Sequence, residues 1–153
     1  MEFNVYNQSR KGQPFKQTCV RVLKELDCDF VGLALQNSNG PDVSWHYAAG
    51  NRNDKYKRIT VRYGKGIAGK VISTGRPMKI EDFPNNILGK ALEYPIMLAE
   101  NLRFAFAVPI QFKVVLKGVL LVGNRTTQPI SESDQQTILD AAKKLEKELN
   151  SSI

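Results

Sequence analysis

The chain has 153 residues, of which 42% are hydrophobic and 24% charged, as in an ordinary globular domain. It contains no run of about 18 apolar residues and no signal-peptide pattern at its start, so we expect a cytoplasmic protein that does not bind or cross a membrane. The net charge of +7 raises nucleic acid as a partner, but the densest basic run is short and no nucleic-acid-binding motif is present. We therefore expect no nucleic-acid partner, and one domain over 1–153 with a polar N-terminal segment at 1–13.

The first elements are a helix and a hairpin. Pro14 suits a first helical turn, and apolar residues recur after it at spacings of three and four, which predicts an amphipathic helix over about 14–27. Two apolar runs, 29–36 and 43–50, flank the turn-rich stretch NSNGPD and predict an antiparallel pair of strands. Trp45 and His46 are neighbours on the second strand, so we expect their side chains on opposite faces of the sheet.

The middle of the chain predicts shorter elements. Residues 56–66 alternate polar and apolar side chains as a strand does, and 66–75 have the composition of a short helix that ends at Gly75. An edge strand is predicted over 77–83, because Pro77 has no N–H to donate to a neighbouring strand and such a residue is tolerated at a sheet edge. The following residues, to about 102, read as a connection of loop and helical pieces.

The last third predicts two strands and a helix. Residues 103–112 and 114–124 are apolar enough to lie in the middle of a sheet, as antiparallel neighbours. The helix begins after Ser131, which lies three residues before Asp134 in a capping-box-like pattern. One face of this helix is apolar at Ile138, Ala142, Leu145 and Leu149. The order predicts an α+β fold with a mainly antiparallel sheet.

Glycines 64, 66 and 69 form the pattern G-x-G-x-x-G, which elsewhere binds a dinucleotide pyrophosphate. A dinucleotide fold needs a buried parallel strand before the glycines and a long helix after them, and neither is predicted here, although Asp82 lies at the spacing of a ribose-binding acid. The first N–H groups of the short helix, at Ile67, Ala68 and Gly69, lack intrahelical acceptors and could bind an anion. The alternative is that water or a neighbouring carbonyl group satisfies them.

Two cysteines and one histidine limit the chemistry. Cys19 and Cys28 form no C-x-x-C pair, and with His46 alone no metal site is expected. Both cysteines adjoin apolar residues, which indicates small buried thiols in a reducing compartment. No Ser/His/Asp set and no carboxylate pair lies near the glycines, so we expect neither a catalytic residue nor a cofactor.

The stretches GKGIAGKVISTGRPMKIED and AVPIQFKVVLKGVLLVGNR, followed by a capped helix, resemble the GAF small-molecule sensory domain over nearly the whole chain. The resemblance implies a central antiparallel sheet of five or six strands. It places the N- and C-terminal helices on one face of the sheet and a ligand pocket on the other, under a connector formed by 81–101. The fold alone does not name the ligand.

Three shorter motifs, SWHY, GIAG and YPIM, are similar to those of the nitrate receptors among the GAF proteins, which act beside an oxygen-sensing histidine kinase and its response regulator. This similarity implies a nitrate pocket, with a sensor histidine kinase as partner. The pocket would comprise Trp45, the backbone N–H groups of Ile67 and Ala68, and Tyr94 with Ile96. The indole N–H or the phenolic O–H would be an extra donor. Trp45 and Tyr94 are also what an ordinary core would contain, and that alternative stays open.

Other GAF functions remain as alternatives. The GAF-type free methionine sulfoxide reductases need a nucleophilic and a resolving cysteine in the pocket, but this chain has Ala68 at the matching position and no cysteine in the connector. The chain would then be a relative that has lost its catalytic cysteines, or a sensor of another small anion or metabolite. The apolar face of the last helix suits either a homodimer or an intramolecular core.

Overall fold

A computed structural model describes residues 5–112 and 116–151. It contains a six-stranded antiparallel sheet of order β3-β2-β1-β6-β5-β4. The strands are β1 Phe30–Gln36, β2 Val43–Ala49, β3 Thr60–Val61, β4 Met78–Ile80, β5 Phe104–Phe112 and β6 Leu116–Asn124. The helices are α1 Val5–Glu25, α2 Gly66–Thr74, α3 Pro95–Ala99 and α4 Glu132–Ser151, with 3-10 turns at Lys55–Arg58 and Ala91–Glu93. The predicted α+β class with a mainly antiparallel sheet is confirmed.

The two long helices cover one face of the sheet, which we call the helix face. Apolar side chains of α1 and α4 pack there against β1, β5 and β6. The most enclosed of them are Cys19, Val22, Ile138 and Leu145, which have no exposed surface. Ser131 accepts a hydrogen bond from the Asp134 N–H (3.1 Å), so the predicted cap of α4 is present. The predicted packing of the terminal helices on one face is confirmed.

The opposite face, which we call the connector face, is covered by smaller pieces. Helix α2, the two 3-10 turns and the connector 81–101 pack on it. A second hydrophobic cluster lies between these pieces and the inner strands β1, β5 and β6, with Met97, Ala107, Val119 and Leu121 fully enclosed. The sheet therefore separates two cores of different construction.

A β-bulge in β2 changes which side chains reach each face. Trp45 is paired with Ala34 but Tyr47 is paired with Leu33, so His46 is the extra residue between them. Trp45 consequently lies in the connector-face cluster while Tyr47 packs with the helix face. His46 is exposed whereas Trp45 is buried, so His46 does not lie in the connector-face core with it.

Two predicted boundaries were wrong. Helix α1 begins at Val5 rather than near residue 14, and Pro14 lies inside it, because a proline removes only one intrahelical donor while the polar residues before it are compatible with a helix. The third strand is only Thr60–Val61, since Lys55–Arg58 forms a 3-10 turn. Val114 and Val115 of the predicted sixth strand lie outside the described residues, and β6 is described from Leu116.

Candidate functional site

The five residues predicted to form a ligand site come together on the connector face. Trp45 points from β2, Ile67 and Ala68 lie in the first turn of α2, and Tyr94 and Ile96 lie at the end of the connector. Each is at most 2% exposed, and all five belong to one cluster of buried side chains. Residues separated by up to 51 positions therefore belong to one core on the connector face, to which the first turn of α2 contributes.

The start of α2 depends on glycine for two reasons. Gly66 has a φ of +63°, a left-handed conformation that favours glycine, and a β-carbon there would come within 3.0 Å of Val61. Gly69 lies so close to the Arg62 carbonyl oxygen that any β-carbon would clash with backbone. The Gly64 N–H donates to the Gly69 carbonyl oxygen at 2.9 Å. The three glycines thus form a tight turn onto a closely packed helix.

The arrangement does not support dinucleotide binding. The strand before the glycines, β3, is a two-residue antiparallel edge strand, and the helix after them has nine residues. Asp82 is bonded through Oδ1 to Arg103 Nη2 at 2.5 Å, and its other oxygen accepts from Asn85. The Arg103 hydrogen bond holds the pKa of Asp82 below its usual value. The carboxylate is therefore part of the connector's own structure.

The first turn of α2 carries backbone donors next to the connector, whose Glu93 carbonyl oxygen lies beside Gly66. The N–H groups of Ile67 and Ala68 lie among the first four of the helix, where no intrahelical acceptor exists. The positive end of the helix dipole lies at the same point. Chemically, this turn can bind a small anion that accepts hydrogen bonds in its own plane.

Tyr94 is held by its hydroxyl group rather than left free. The hydroxyl donates to the Leu88 carbonyl oxygen at 2.6 Å and accepts from Lys70 Nζ at 3.1 Å. Lys70 Nζ also lies 5.0 Å from the centre of the ring, within cation-π range. The expectation that the phenolic O–H is an available donor was therefore wrong, because the connector's own backbone takes that proton.

Sequence reasoning missed several residues of this cluster. Lys70 is half-buried on Tyr94 and brings a positive charge to the site, and Phe83 meets Tyr94 edge-on with ring centres 6.0 Å apart. Tyr56 and Met97 are buried in the same cluster. Of these residues only Lys70 could have been predicted from local sequence spacing, because it lies about one helical turn after Ile67 and so shares its side of α2.

The connector is tied to the sheet at its C-terminal end by a buried carboxylate. Glu100 has no exposed surface, and its Oε1 accepts from Arg125 Nη2 at 2.5 Å and from the Arg52 N–H at 2.9 Å. Arg125 Nε also donates to the Glu100 carbonyl oxygen at 2.8 Å. Glu100 thus fixes the end of α3 to β6 and to the loop after β2.

Neither cysteine lies near the candidate site. Cys19 is enclosed in the helix-face core, and Cys28 packs against the same core. Burial raises the pKa of each thiol to about 12, so neither is a thiolate at neutral pH. Within residues 5–112 and 116–151 no three His, Cys, Asp or Glu side chains are grouped as a metal site would need, and none of the described helices is long and apolar enough to span a bilayer.

Comparison with known proteins gives a family and a set of similar structures. The GAF domain model matches residues 13–149. A structure of Staphylococcus aureus NreA mutated in its nitrate-binding site is 34% identical, with a TM-score of 0.74, over 82% of this chain and 93% of that one. A hypothetical S. aureus protein is 38% identical, with a TM-score of 0.70, over 77% of this chain and 98% of that one.

More distant matches include other kinds of protein. The HTH-type transcriptional activator RamA of Corynebacterium glutamicum is 26% identical over 133 residues, which are 86% of this chain. The chain spans less than half of RamA, 46% of its length. The free methionine-R-sulfoxide reductase of Neisseria meningitidis, at 18% identity and a TM-score of 0.69, shares the fold. With the family model matched over most of its length, and with the sheet and its two faces as described, this chain belongs to the GAF domain family.

Proposed function

We propose that the protein is a cytoplasmic nitrate receptor that binds nitrate on the connector face and modulates a partner sensor histidine kinase. The observation that carries the proposal is that one buried cluster on the connector face, which includes the first turn of α2, contains all five predicted residues: Trp45, Ile67, Ala68, Tyr94 and Ile96. The similarity to NreA, a protein with a nitrate-binding site, supports it.

The chemistry of this cluster suits nitrate. Nitrate is planar and monovalent and has no proton to donate, so it needs donors rather than acceptors. The N–H groups of Ile67 and Ala68 are such donors, and the indole N–H of Trp45 is a third that lies on the same face. Lys70 adds a positive charge without leaving its hydrogen bond to Tyr94. Buried apolar neighbours exclude competing water.

The expected affinity is modest. Three charge-assisted hydrogen bonds contribute at most about 9 kcal/mol, and lost translational and rotational freedom costs at least about 4 kcal/mol. No more than about 5 kcal/mol remains, which corresponds to a Kd of roughly 0.2 mM or weaker. Such a site responds to nitrate at nutrient concentrations and releases it when the supply falls.

The signal would pass through the connector. A ligand shifts an equilibrium only through its different affinity for two conformations. Nitrate that contacts both α2 and the connector residues Tyr94 and Ile96 favours the conformation in which the connector lies closed on α2. The partner kinase would distinguish that closed surface from a more open one, so that its phosphorylation state depends on nitrate.

The test is isothermal titration of the purified protein with sodium nitrate, against chloride and phosphate. Trp45→Phe keeps the apolar ring and removes the N–H, and the matched control Tyr47→Phe removes a hydroxyl from the same strand on the helix face. We expect saturable one-to-one binding of nitrate, weakened by Trp45→Phe alone. Equal affinity in both variants would contradict the site, and binding of another anion in place of nitrate would favour a GAF sensor of that anion.

A further inference from the structure

The charge of the protein is concentrated in one part of the chain. Residues 51–76, which we call the basic segment, contain eight lysines and arginines and one acid, Asp54. Their net charge of +7 equals that of the whole chain, because the remaining fourteen basic and fourteen acidic residues balance. The basic segment comprises the first 3-10 turn and α2, which pack on the connector face, and β3, the edge strand next to β2.

These cations are mostly unneutralised. Every lysine and arginine of the basic segment is exposed except Lys70, which is half-buried. Lys57 lies 4.0 Å from Asp54, and Arg52 donates to the Ala99 carbonyl oxygen. Five other side chains form neither a hydrogen bond nor an ion pair with the described residues: Lys55, Arg58, Arg62, Lys65 and Arg76. A surface of like charges without counter-charges attracts an anionic partner at long range.

Exposed apolar side chains lie on the neighbouring connector. Leu88 and Leu92, which we call the leucine pair, are 81% and 82% exposed. The connector next to them packs on the basic segment, since the Glu93 carbonyl oxygen lies beside Gly66 and the Tyr94 hydroxyl bonds both Lys70 and Leu88. The leucine pair and the basic segment therefore belong to the same side of the molecule.

We propose that the basic segment and the leucine pair together form a docking surface for a protein partner whose own surface combines carboxylates with apolar side chains. Nucleic acid would use the cations but would leave the leucines without a role, because bases are bound by stacking on flat side chains. A membrane surface is bound by a helix with an exposed apolar face. In α2 the apolar residues Ile67, Val71 and Ile72 are instead buried in the core.

This proposal rests on the proposed function in one respect: the partner kinase named there would bind at this docking surface. Binding at the surface does not require nitrate. Its link to the site is short, since one hydrogen bond joins Leu88 to Tyr94. A ligand that moves Tyr94 would therefore change the position of an apolar side chain that the partner contacts.

The experiment measures binding of fluorescent probes by anisotropy, without nitrate. The probes are a short amphipathic peptide of glutamate and leucine, the same peptide with lysine for glutamate, and the same with serine for leucine. A duplex DNA and phosphatidylglycerol vesicles complete the set. The variant Arg58→Glu/Arg62→Glu reverses two exposed cations of the basic segment, and the matched control Lys143→Glu/Lys144→Glu makes the same charge change on the exposed side of α4. Circular dichroism checks that both are folded.

We expect the glutamate–leucine peptide to bind the wild type. The variant Arg58→Glu/Arg62→Glu should lower the affinity for this peptide about tenfold or more. The α4 control should stay within about twofold, and Leu88→Ser/Leu92→Ser should reduce the affinity to that of the serine peptide. Equal loss in the two charge variants, absence of peptide binding, no effect of the leucine changes, or preference for DNA or vesicles would each overturn the proposal. Because nitrate is absent, failure of the nitrate titration would not affect this result.

Discussion

The two faces of the sheet are built in different ways from the same six strands. On the helix face, two long helices bury a continuous set of aliphatic side chains. On the connector face, a nine-residue helix, two 3-10 turns and a loop bury a cluster of similar size. Single contacts fix these pieces in addition: a glycine against a carbonyl group, a tyrosine hydroxyl and a buried carboxylate. The first construction is continuous, whereas the second combines short pieces with the basic segment, and it is there that we propose a ligand and a partner bind.

The difference shows how one domain separates folding from binding. Burial on the helix face is spread over many residues, so its stability does not depend on any one polar contact. The connector face buries a comparable core, but its short pieces are also fixed by a few specific polar and backbone contacts, so a small change of conformation alters several of these together. Substitutions on the two faces should therefore have distinguishable effects.

The largest expected effect comes from the carboxylate that anchors the connector. Glu100→Ala leaves the Arg125 guanidinium, 27% exposed, without its buried partner. We expect the free energy of unfolding, measured in urea, to fall by about 3–5 kcal/mol. The control Glu25→Ala removes a half-exposed carboxylate 4.0 Å from Arg21 and should change it by less than about 0.5 kcal/mol. Similar losses in both would show that Glu100 does not anchor the connector.

Two aliphatic truncations compare the faces directly. Leu145 on the helix face and Ile96 on the connector face are both buried, and each change to Ala should cost about 2–5 kcal/mol of stability. Only Ile96→Ala should also weaken nitrate binding in the titration. If Leu145→Ala weakened it equally, the assignment of binding to one face would be wrong.

A pair of glycines tests the packing at the start of α2. Gly69→Ala places a methyl group against the Arg62 carbonyl oxygen, and overpacking of this kind costs about 1–3 kcal/mol. Gly40→Ala places the same group where no atom lies within 4 Å and should change the stability by less than about 0.5 kcal/mol. Thermal unfolding of the two variants measures the difference, and equal melting temperatures would refute the close approach.

The hydroxyl of Tyr94 should have a smaller effect. Tyr94→Phe removes the donor to the Leu88 carbonyl oxygen and the acceptor of Lys70, which we expect to cost about 0.5–1.5 kcal/mol. Tyr63→Phe, at a tyrosine that is 46% exposed, is the control and should leave urea denaturation unchanged. A Tyr94→Phe protein as stable as wild type would mean that this hydroxyl does not hold the connector.

The smallest effect should appear only in acid. The Arg103 hydrogen bond lowers the pKa of Asp82 from 3.8 in the folded state, so the stability it contributes is complete above that value and is lost as the pH falls through the lowered pKa. The melting temperature of Asp82→Asn should therefore be below that of wild type at neutral pH, and the gap should close in strong acid. If the difference in melting temperature between the two proteins grew on acidification, the lowered pKa assigned to Asp82 would be wrong.

Much of the fold could be predicted because local patterns decide it. The apolar runs of β1, β2, β5 and β6 and the turn residues between β1 and β2 locate the central strands, and Ser131 marks the start of α4. The start of α1 was missed because Pro14 is a good signal for a first turn and a permitted residue inside a helix. The bulge at His46 has no sequence signal, yet it decides that Tyr47 lies on the helix face.

The site was predictable in part, and for a different reason. Trp45, Tyr94 and Ile96 were predicted from family resemblance alone, and the N–H groups of α2 also followed from helix geometry. The roles of Lys70 and Glu100 depend on contacts with Tyr94 and Arg125, which lie 24 and 25 residues away in sequence. Distances of this kind are set by the packing of the connector on the sheet, which no local pattern records.

The most direct test of the central claim, that the connector face binds nitrate, is a nitrate titration followed by amide and indole NMR shifts on nitrogen-15-labelled protein, with chloride as control. The account predicts saturable shifts at the Ile67 and Ala68 amides and at the indole of Trp45, the only tryptophan, with α1 and α4 unaffected. Shifts confined to the α1 and α4 face, or identical shifts with chloride, would contradict it.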